Sequence, residues 1–214
     1  MMKNSIYIKR LKNMLRYWLI FYFISLQLWG QNEDNKKWFS LGMRSTMSVF
    51  SDDGFGIGTG GQFRVQLSKR VNTDWFADYI TINLNDEVKS EYAHIGWSVL
   101  YYPFQNMLYP HFFQPYILAG HCFDYNKKSS ILKPDINKDR WGSAIQAGLG
   151  THLNFTKRAD VSLMLQYMIH LTSEIHYEYN NINEIEFHTK SSSTLEGHLL
   201  FTISVNYKLF CYGK

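Results

Sequence analysis

Histidines and carboxylates gather late in the chain, where His170, Glu174, His176 and His188 are followed by Glu196 and His198. Imidazole and carboxylate together suit zinc or copper. Two histidines six residues apart on one strand stand about 20 Å apart, however. His170 and His176 therefore cannot share an ion from a single strand, and ligands would have to converge across a hairpin. None of the spacings is that of a zinc motif, so no metal site and no cofactor is expected. His170 also has Thr172 and Ser173 beside it. A hydroxyl, a base and an orienting carboxylate in contact would make a nucleophilic centre. A third set, Arg44, Gln62, Arg64, Gln66, Gln166 and Lys208, falls with His170, Glu174, Glu196 and His198 at one parity of the segments that carry them. Such residues line an enclosed space, where charges must pair or be hydrated.

The elements that position these residues are strands. In LEGHLLFTISVNYKLF, Leu199, Phe201, Ile203, Val205, Tyr207 and Leu209 alternate with Glu196, His198, Leu200, Thr202, Ser204, Asn206 and Lys208. Val161 to Leu171 alternates in the same way with Ser162, Met164, Gln166, Met168, His170 and Thr172. A period of two sustained this long marks a strand with one apolar and one polar face. Shorter runs repeat it. Leu41, Met43, Met47 and Val49 oppose Gly42, Arg44, Thr46 and Ser48, and Phe63 and Val65 oppose Gln62 and Arg64. Ile95, Trp97 and Val99 oppose His94, Gly96 and Ser98, and Ala147 and Leu149 oppose Gly148 and Gly150. Segments 74–84 and 113–125 read as strands whose faces the pattern leaves open, which makes eight in all. Turn signals separate them: SDDGFG, SKRVN, NDEVKS, PFQNMLYP and TKRAD. Two long connections, 126–139 and 177–195, are read as loops.

The N-terminus reads as an address. Lys3, Lys9, Arg10, Lys12 and Arg16 precede an uncharged run from Tyr17 to Asn32 that contains YWLIFYFISLQLWG. A basic segment before a short apolar one is a secretory signal peptide, with cleavage expected near Gly30–Gln31. The run is shorter than the ~20 residues a membrane-spanning helix needs. Met14 offers a second, compact start, so the initiating residue is Met1 or Met14. Residues 31–37 form a polar spacer, and 38–214 form the folded domain.

Of 214 residues, 17% are aromatic, and the net charge is +4. Much of the excess positive charge lies in the first sixteen positions, which removes the clustered basic face that nucleic-acid binding needs. Alternation alone does not separate a soluble barrel from one in lipid. The aromatics do, because Tyr and Trp collect at membrane–water interfaces. In an up-and-down reading from a periplasmic N-terminus, Trp38, Phe39, Trp75, Phe76, Tyr101, Tyr102, Phe112, Phe113, Phe155 and Tyr207 gather at one end. Phe50, Phe123, Tyr125, Trp141 and Tyr177 gather at the other. Both long connections fall on the outer side, as the longer loops of such barrels do. Cys122 and Cys211 are then about 25 Å apart, beyond the ~7 Å that a disulfide allows.

The segments QPYILAGHCFDY, SAIQAGLGTHLNFTKRADVSLMLQYMIHL and LLFTISVNYKLF resemble small outer-membrane β-barrel proteins of the OmpA-like or porin-like superfamily of Gram-negative bacteria. The resemblance covers roughly residues 38–210 and implies fold and location. Tyr207–Phe210 is similar to the aromatic C-terminal signal of such proteins, although here the chain continues through CYGK. MIHLTSE distantly resembles the His-x-Ser arrangement of outer-membrane lipid A deacylases. Thr172 stands where that pattern has serine, and His170 has inward parity rather than lipid-facing parity.

The expectation is therefore all-β: an eight-stranded antiparallel up-and-down transmembrane β-barrel behind a signal peptide, in the cell outer membrane. Its partner is the lipid bilayer, with loops 126–139 and 177–195 free to bind a protein or a surface. The role expected is structural, surface-binding or that of an assembly subunit, without enzymatic activity. A small solute pore and a lipid-modifying enzyme are the alternatives. The expected lumen lining includes Arg44, Arg64, Gln166, His170, Glu174, Glu196 and His198.

Overall fold

The structure is a computed structural model. It describes residues 37–50, 54–84, 87–104, 112–172, 174–179, 185–190 and 197–212, apart from the side chains of Phe50, Glu174 and Lys190. The signal-peptide and spacer expectations lie outside the described residues. Among these residues are ten strands: β1 (Lys37–Phe50), β2 (Gly54–Gln66), β3 (Val71–Leu84), β4 (Val88–Tyr101), β5 (Phe113–Ser130), β6 (Asn137–Asn154), β7 (Ala159–His170), β8 (Glu174–Tyr179), β9 (Ile185–Lys190) and β10 (Gly197–Tyr212).

Eight of them close into a barrel in the order β1-β10-β7-β6-β5-β4-β3-β2, and β8 and β9 form a separate two-stranded sheet. Each sequential barrel pair for which a register is defined is antiparallel, for example Trp75 opposite Trp97 and Gly58 opposite Ile80. Closure leaves no strand edge unpaired, the condition a sheet must meet in lipid.

The polarity is inside out. Along β1, Ser40, Arg44, Thr46 and Ser48 are buried, while Leu41, Met43, Met47 and Val49 are exposed. The same inversion runs through β10, where His198, Thr202, Ser204 and Asn206 are buried and Leu199, Phe201, Ile203 and Val205 are exposed. A wall of exposed apolar side chains around a polar interior is built for hydrocarbon surroundings. At the end of the barrel where Leu67–Arg70 and Phe155–Arg158 make the turns, aromatic rings form a stacked row on the outside. Phe210 and Phe39 lie 5.1 Å apart, Phe39 and Phe63 5.8 Å, Phe63 and Trp75 5.9 Å, and Trp75 and Trp97 6.4 Å. Phe76 and Tyr102 do not join this belt, contrary to their sequence assignment. Both are buried inside the barrel, because the strand parity that turns Trp75 and Tyr101 outward turns their neighbours inward.

Both long connections contain strand. β5 and β6 each run 18 residues, against the ~9–11 that a tilted strand needs to cross a bilayer. They keep pairing from Phe113 opposite Leu153 out to Ser129 opposite Asn137. The excess length continues as sheet in which β3 and β4 take part, with Val88 opposite both Leu84 and Ser130, and it leaves Cys122 near the middle of β5 rather than near its outer end. The second connection contains the β8–β9 hairpin, paired from Glu174 opposite Lys190 to Tyr179 opposite Ile185. Ile175 and Phe187 of the hairpin are buried with Val88 of β4, and Leu84, Ile136, Tyr177 and Ile185 surround them. Tyr177 therefore belongs to this crown and not to an aromatic belt. Exposed Tyr179 donates a hydrogen bond to the Glu87 carboxylate, and that bond holds its phenol pKa above the ordinary value.

The expected turn SDDGFG is also shorter than read, because β2 starts at Gly54. Gly56, Gly58 and Gly60 take inward positions on β2. A Cβ on Gly58 would overlap the Tyr79 carbonyl oxygen and sit 2.5 Å from Ile80 Cγ1. The missing side chains make room for the large interior residues Ile80 and Ile82 of β3 in a barrel with little interior space.

Candidate functional site

The barrel interior is packed with interlocked polar groups in three zones. Nearest the turns, Arg64 on β2 binds Asp74 on β3, with Nε to Oδ1 at 2.7 Å, and reaches Asp160 on β7 at 3.3 Å. Its Nη2 donates to Ser162 Oγ at 3.1 Å. Asn206 donates to Asp160 at 3.0 Å and accepts from Gln62 at 2.6 Å. His152 is hydrogen-bonded to Ser162 and, at 2.8 Å, to the Tyr102 hydroxyl, which also accepts from Asn72 at 2.7 Å. Strands β2, β3, β4, β6, β7 and β10 or their flanks are thereby tied across the lumen.

At mid-height Arg44 on β1 meets Asp78 on β3 at 2.9 Å, with both side chains almost wholly buried. Its guanidinium lies over the Phe76 ring, 4.4 Å from the centroid. The hydroxyls of Thr46 and Thr202 are 3.1 Å apart, and Thr46 Oγ1 donates to Asp78 at 3.4 Å. Gln166 Nε2 donates to Gln146 Oε1 at 3.2 Å, and Gln146 Nε2 donates to Ser98 Oγ at 2.8 Å.

Toward the crown, Asp124 on β5 gathers three cationic or protonatable partners. His170 Nδ1 is 2.8 Å away, His94 Nε2 3.3 Å and Arg140 Nη2 3.7 Å. His170 Nε2 in turn shares a 2.9 Å hydrogen bond with His198 Nδ1. The rings of His170 and His198 stack with centroids 4.8 Å apart, and His94 stacks on His198 at 5.8 Å. Within this zone an apolar layer of Ile80, Ile82, Tyr92, Cys122, Ala144, Met168 and Leu200 fills the remaining interior.

Of the residues singled out from sequence, Arg44, Arg64, Gln166, His170 and His198 lie buried in these zones. The structure joins His170 to His198 and divides Arg44 and Arg64 between separate ion pairs. Glu196 and the side chain of Glu174 lie outside what is described. His176 does not continue the inward parity of β7. β7 ends at His170, and His176 faces His188 across the separate hairpin. Nor does His170 form a dyad with Thr172, whose hydroxyl pairs with Arg140; Ser173 is outside the described residues. Among the described residues no group of His, Cys, Asp or Glu is arranged to hold a metal ion, and both Cys122 and Cys211 are free thiols.

Asp74, Asp78, Asp124, Arg140 and Asp160 escaped the sequence reading. The inward face of β3 runs Asp74, Phe76, Asp78, Ile80, Ile82 and that of β5 runs Leu118, Gly120, Cys122, Asp124, Asn126. Neither face is uniformly polar, so alternation could not orient either strand. A charge argument would have found the acids, since inward Arg44 and Arg64 demand buried carboxylates, and the two unassigned segments carry Asp74, Asp78 and Asp124.

A scan against protein-family models finds no match, and no curated protein matches in sequence. Solved structures do match in fold. The chain is similar to a major outer membrane protein from Thermus thermophilus, at 10% identity with a TM-score of 0.54, over 80% of this chain and 99% of that one. It is also similar to Neisserial surface protein A, at 11% identity with a TM-score of 0.50, over 81% of this chain and 97% of that one. The inverted polarity, the closed sheet and these likenesses agree: the chain has the fold of the small outer-membrane proteins, an eight-stranded transmembrane β-barrel whose wall is built to face lipid.

Proposed function

We propose that this barrel is a non-enzymatic outer-membrane scaffold that presents its crown, the extended ends of β3–β6 and the β8–β9 hairpin, for attachment at the cell surface. The observation that carries the reading is the interior. In every zone ion pairs join strands that are not neighbours in the sheet, Arg64 with Asp160, Arg44 with Asp78 and Asp124 with His170, with apolar side chains packed between them. A barrel plugged in this way is a rigid mount. Loops and ribbons carried on rigid mounts are where binding residues concentrate. The hairpin is docked on the barrel through Ile175, Phe187 and Val88, so it offers a shaped surface. The engagement of His170 by Asp124 and His198, with Thr172 turned to Arg140, supports the non-enzymatic part of the reading.

The test compares cells displaying the full chain with cells displaying a chain in which a short Gly-Ser linker replaces residues 174–190. Attachment to glycan-coated and protein-coated surfaces is measured, and cold SDS gels check folding. Attachment lost together with an unchanged gel shift is the expected result. Equal attachment by both forms, or solute entry into liposomes carrying the full chain, would overturn the reading, the latter in favour of a pore.

A further inference from the structure

The imidazole pair His170–His198 occupies a particular place in the chain. His170 is the last residue of β7 and Gly197–His198 open β10, so the two histidines stand at the two roots of the excursion that carries the β8–β9 hairpin. Their rings are buried, and Nε2 of one meets Nδ1 of the other at 2.9 Å. A hydrogen bond between two imidazole nitrogens holds one proton. When both rings are protonated, both nitrogens donate, and the bond becomes a contact between two N–H groups and two like charges.

The charges facing the pair make a second cation costly. From β5 comes Asp124, among the described residues the one carboxylate in contact with His170, and next to it the Cys122 thiol. β6 supplies Arg140, already 3.7 Å from that carboxylate, and β4 supplies His94 and the Tyr92 phenol, their rings 6.3 Å apart. β3 offers Asp78, opposite His94 in register, but Asp78 is engaged by Arg44 of β1. Asp124 thus faces Arg140 and up to three imidazolium groups, in an interior where unbalanced charge is expensive. Among the described residues this root is also tied by Leu171 N to Ser143 O at 2.8 Å and by the Arg140–Thr172 bond. Both sit beside the groups that would repel.

We propose that His94, Asp124, His170 and His198 form an acid-sensitive latch: with the imidazole pair sharing one proton it anchors the roots of the β8–β9 hairpin, and protonation of both rings loosens those roots against the packing of Ile175 and Phe187 on Val88 that also holds the hairpin. This inference concerns regulation of the crown proposed above, but it is read from the motion of the hairpin and not from attachment. Its failure would leave the attachment test standing, and the reverse also holds.

The experiment places a nitroxide at exposed Glu178 (Glu178→Cys) in a Cys211→Ser background, leaving Cys122 buried, and records spectra in lipid nanodiscs at about pH 8 and about pH 5, the range over which imidazoles ordinarily charge. The mobile component is expected to rise several-fold at the lower pH and to reverse on return. In His170→Gln/His198→Gln the rise is expected to vanish. His176 and His188 of the hairpin remain in that variant, so a rise that persists would assign the response to them and overturn the latch. Spectra unchanged with pH in the parent protein would also overturn it. If the double variant shows no folded band on a cold gel, His198→Gln alone, which keeps Asp124 against His170, is read in its place by the same criteria.

Discussion

Arg44 and Asp78 illustrate what single residues do in this interior. Each is buried, and the two form an ion pair over Gly60 of the intervening strand β2. Removing one partner of such a pair strands the other charge, at about 3–5 kcal/mol, whereas replacing both with apolar groups of similar volume is often neutral or stabilising. Arg44→Ala is therefore expected to lower unfolding stability by about that amount, and Arg44→Met with Asp78→Leu to restore most of it. Denaturant titration in detergent micelles, followed by tryptophan fluorescence, measures both. A glycine pair makes a sharper steric test. Gly58 faces the interior against Tyr79 and Ile80, while Gly61 faces outward with only the Gly42 carbonyl within 4 Å, at 3.9 Å. Gly58→Leu should prevent closure, and Gly61→Leu should leave the folded gel band intact.

Outward positions of the barrel strands face lipid, whereas the far ends of β5 and β6 and the β8–β9 hairpin form the crown. Ile95 sits in the outward wall opposite Ala77 and Phe123. Ile95→Arg should cost about 2–4 kcal/mol if that position lies near the bilayer midplane. Leu132, 81% exposed at the turn joining β5 to β6, stands clear of the membrane, and Leu132→Arg should change stability by no more than about 0.5 kcal/mol. The same titration reports both. The elements also show what was legible in the sequence. β1, β7 and β10 were readable because their inner and outer faces differ cleanly in polarity. β3 and β5 hid their faces because aspartates share the inside with Phe76, Ile80, Leu118 and Cys122. β8 and β9 looked like loop because EIHYEY and IEFHTK are six residues each. A lone hairpin that short is marginal, and these strands are held by packing Ile175 and Phe187 on Val88, a contact far away in sequence. The interior ion pairs shared that difficulty. Arg64 stands out in the sequence as an inward residue, but Asp74 and Asp160 do not, because the register that joins them to it is a property of the closed sheet.

For the whole molecule, the central claim is a membrane-spanning barrel whose lumen is shut by its own side chains. Eight strands leave an interior just wide enough for side chains to fill. Here they fill it, from Arg64 reaching Asp160 near the turns to His94 stacked on His198 beneath the crown. The most direct measurement is voltage-clamped conductance of the purified, folded protein in planar bilayers, with insertion verified by the heat-dependent shift of the same preparation on cold gels. The account predicts a silent bilayer at neutral pH. Steady, ohmic conductance steps from the folded protein would contradict it and show that the polar interior is a hydrated path rather than a plug.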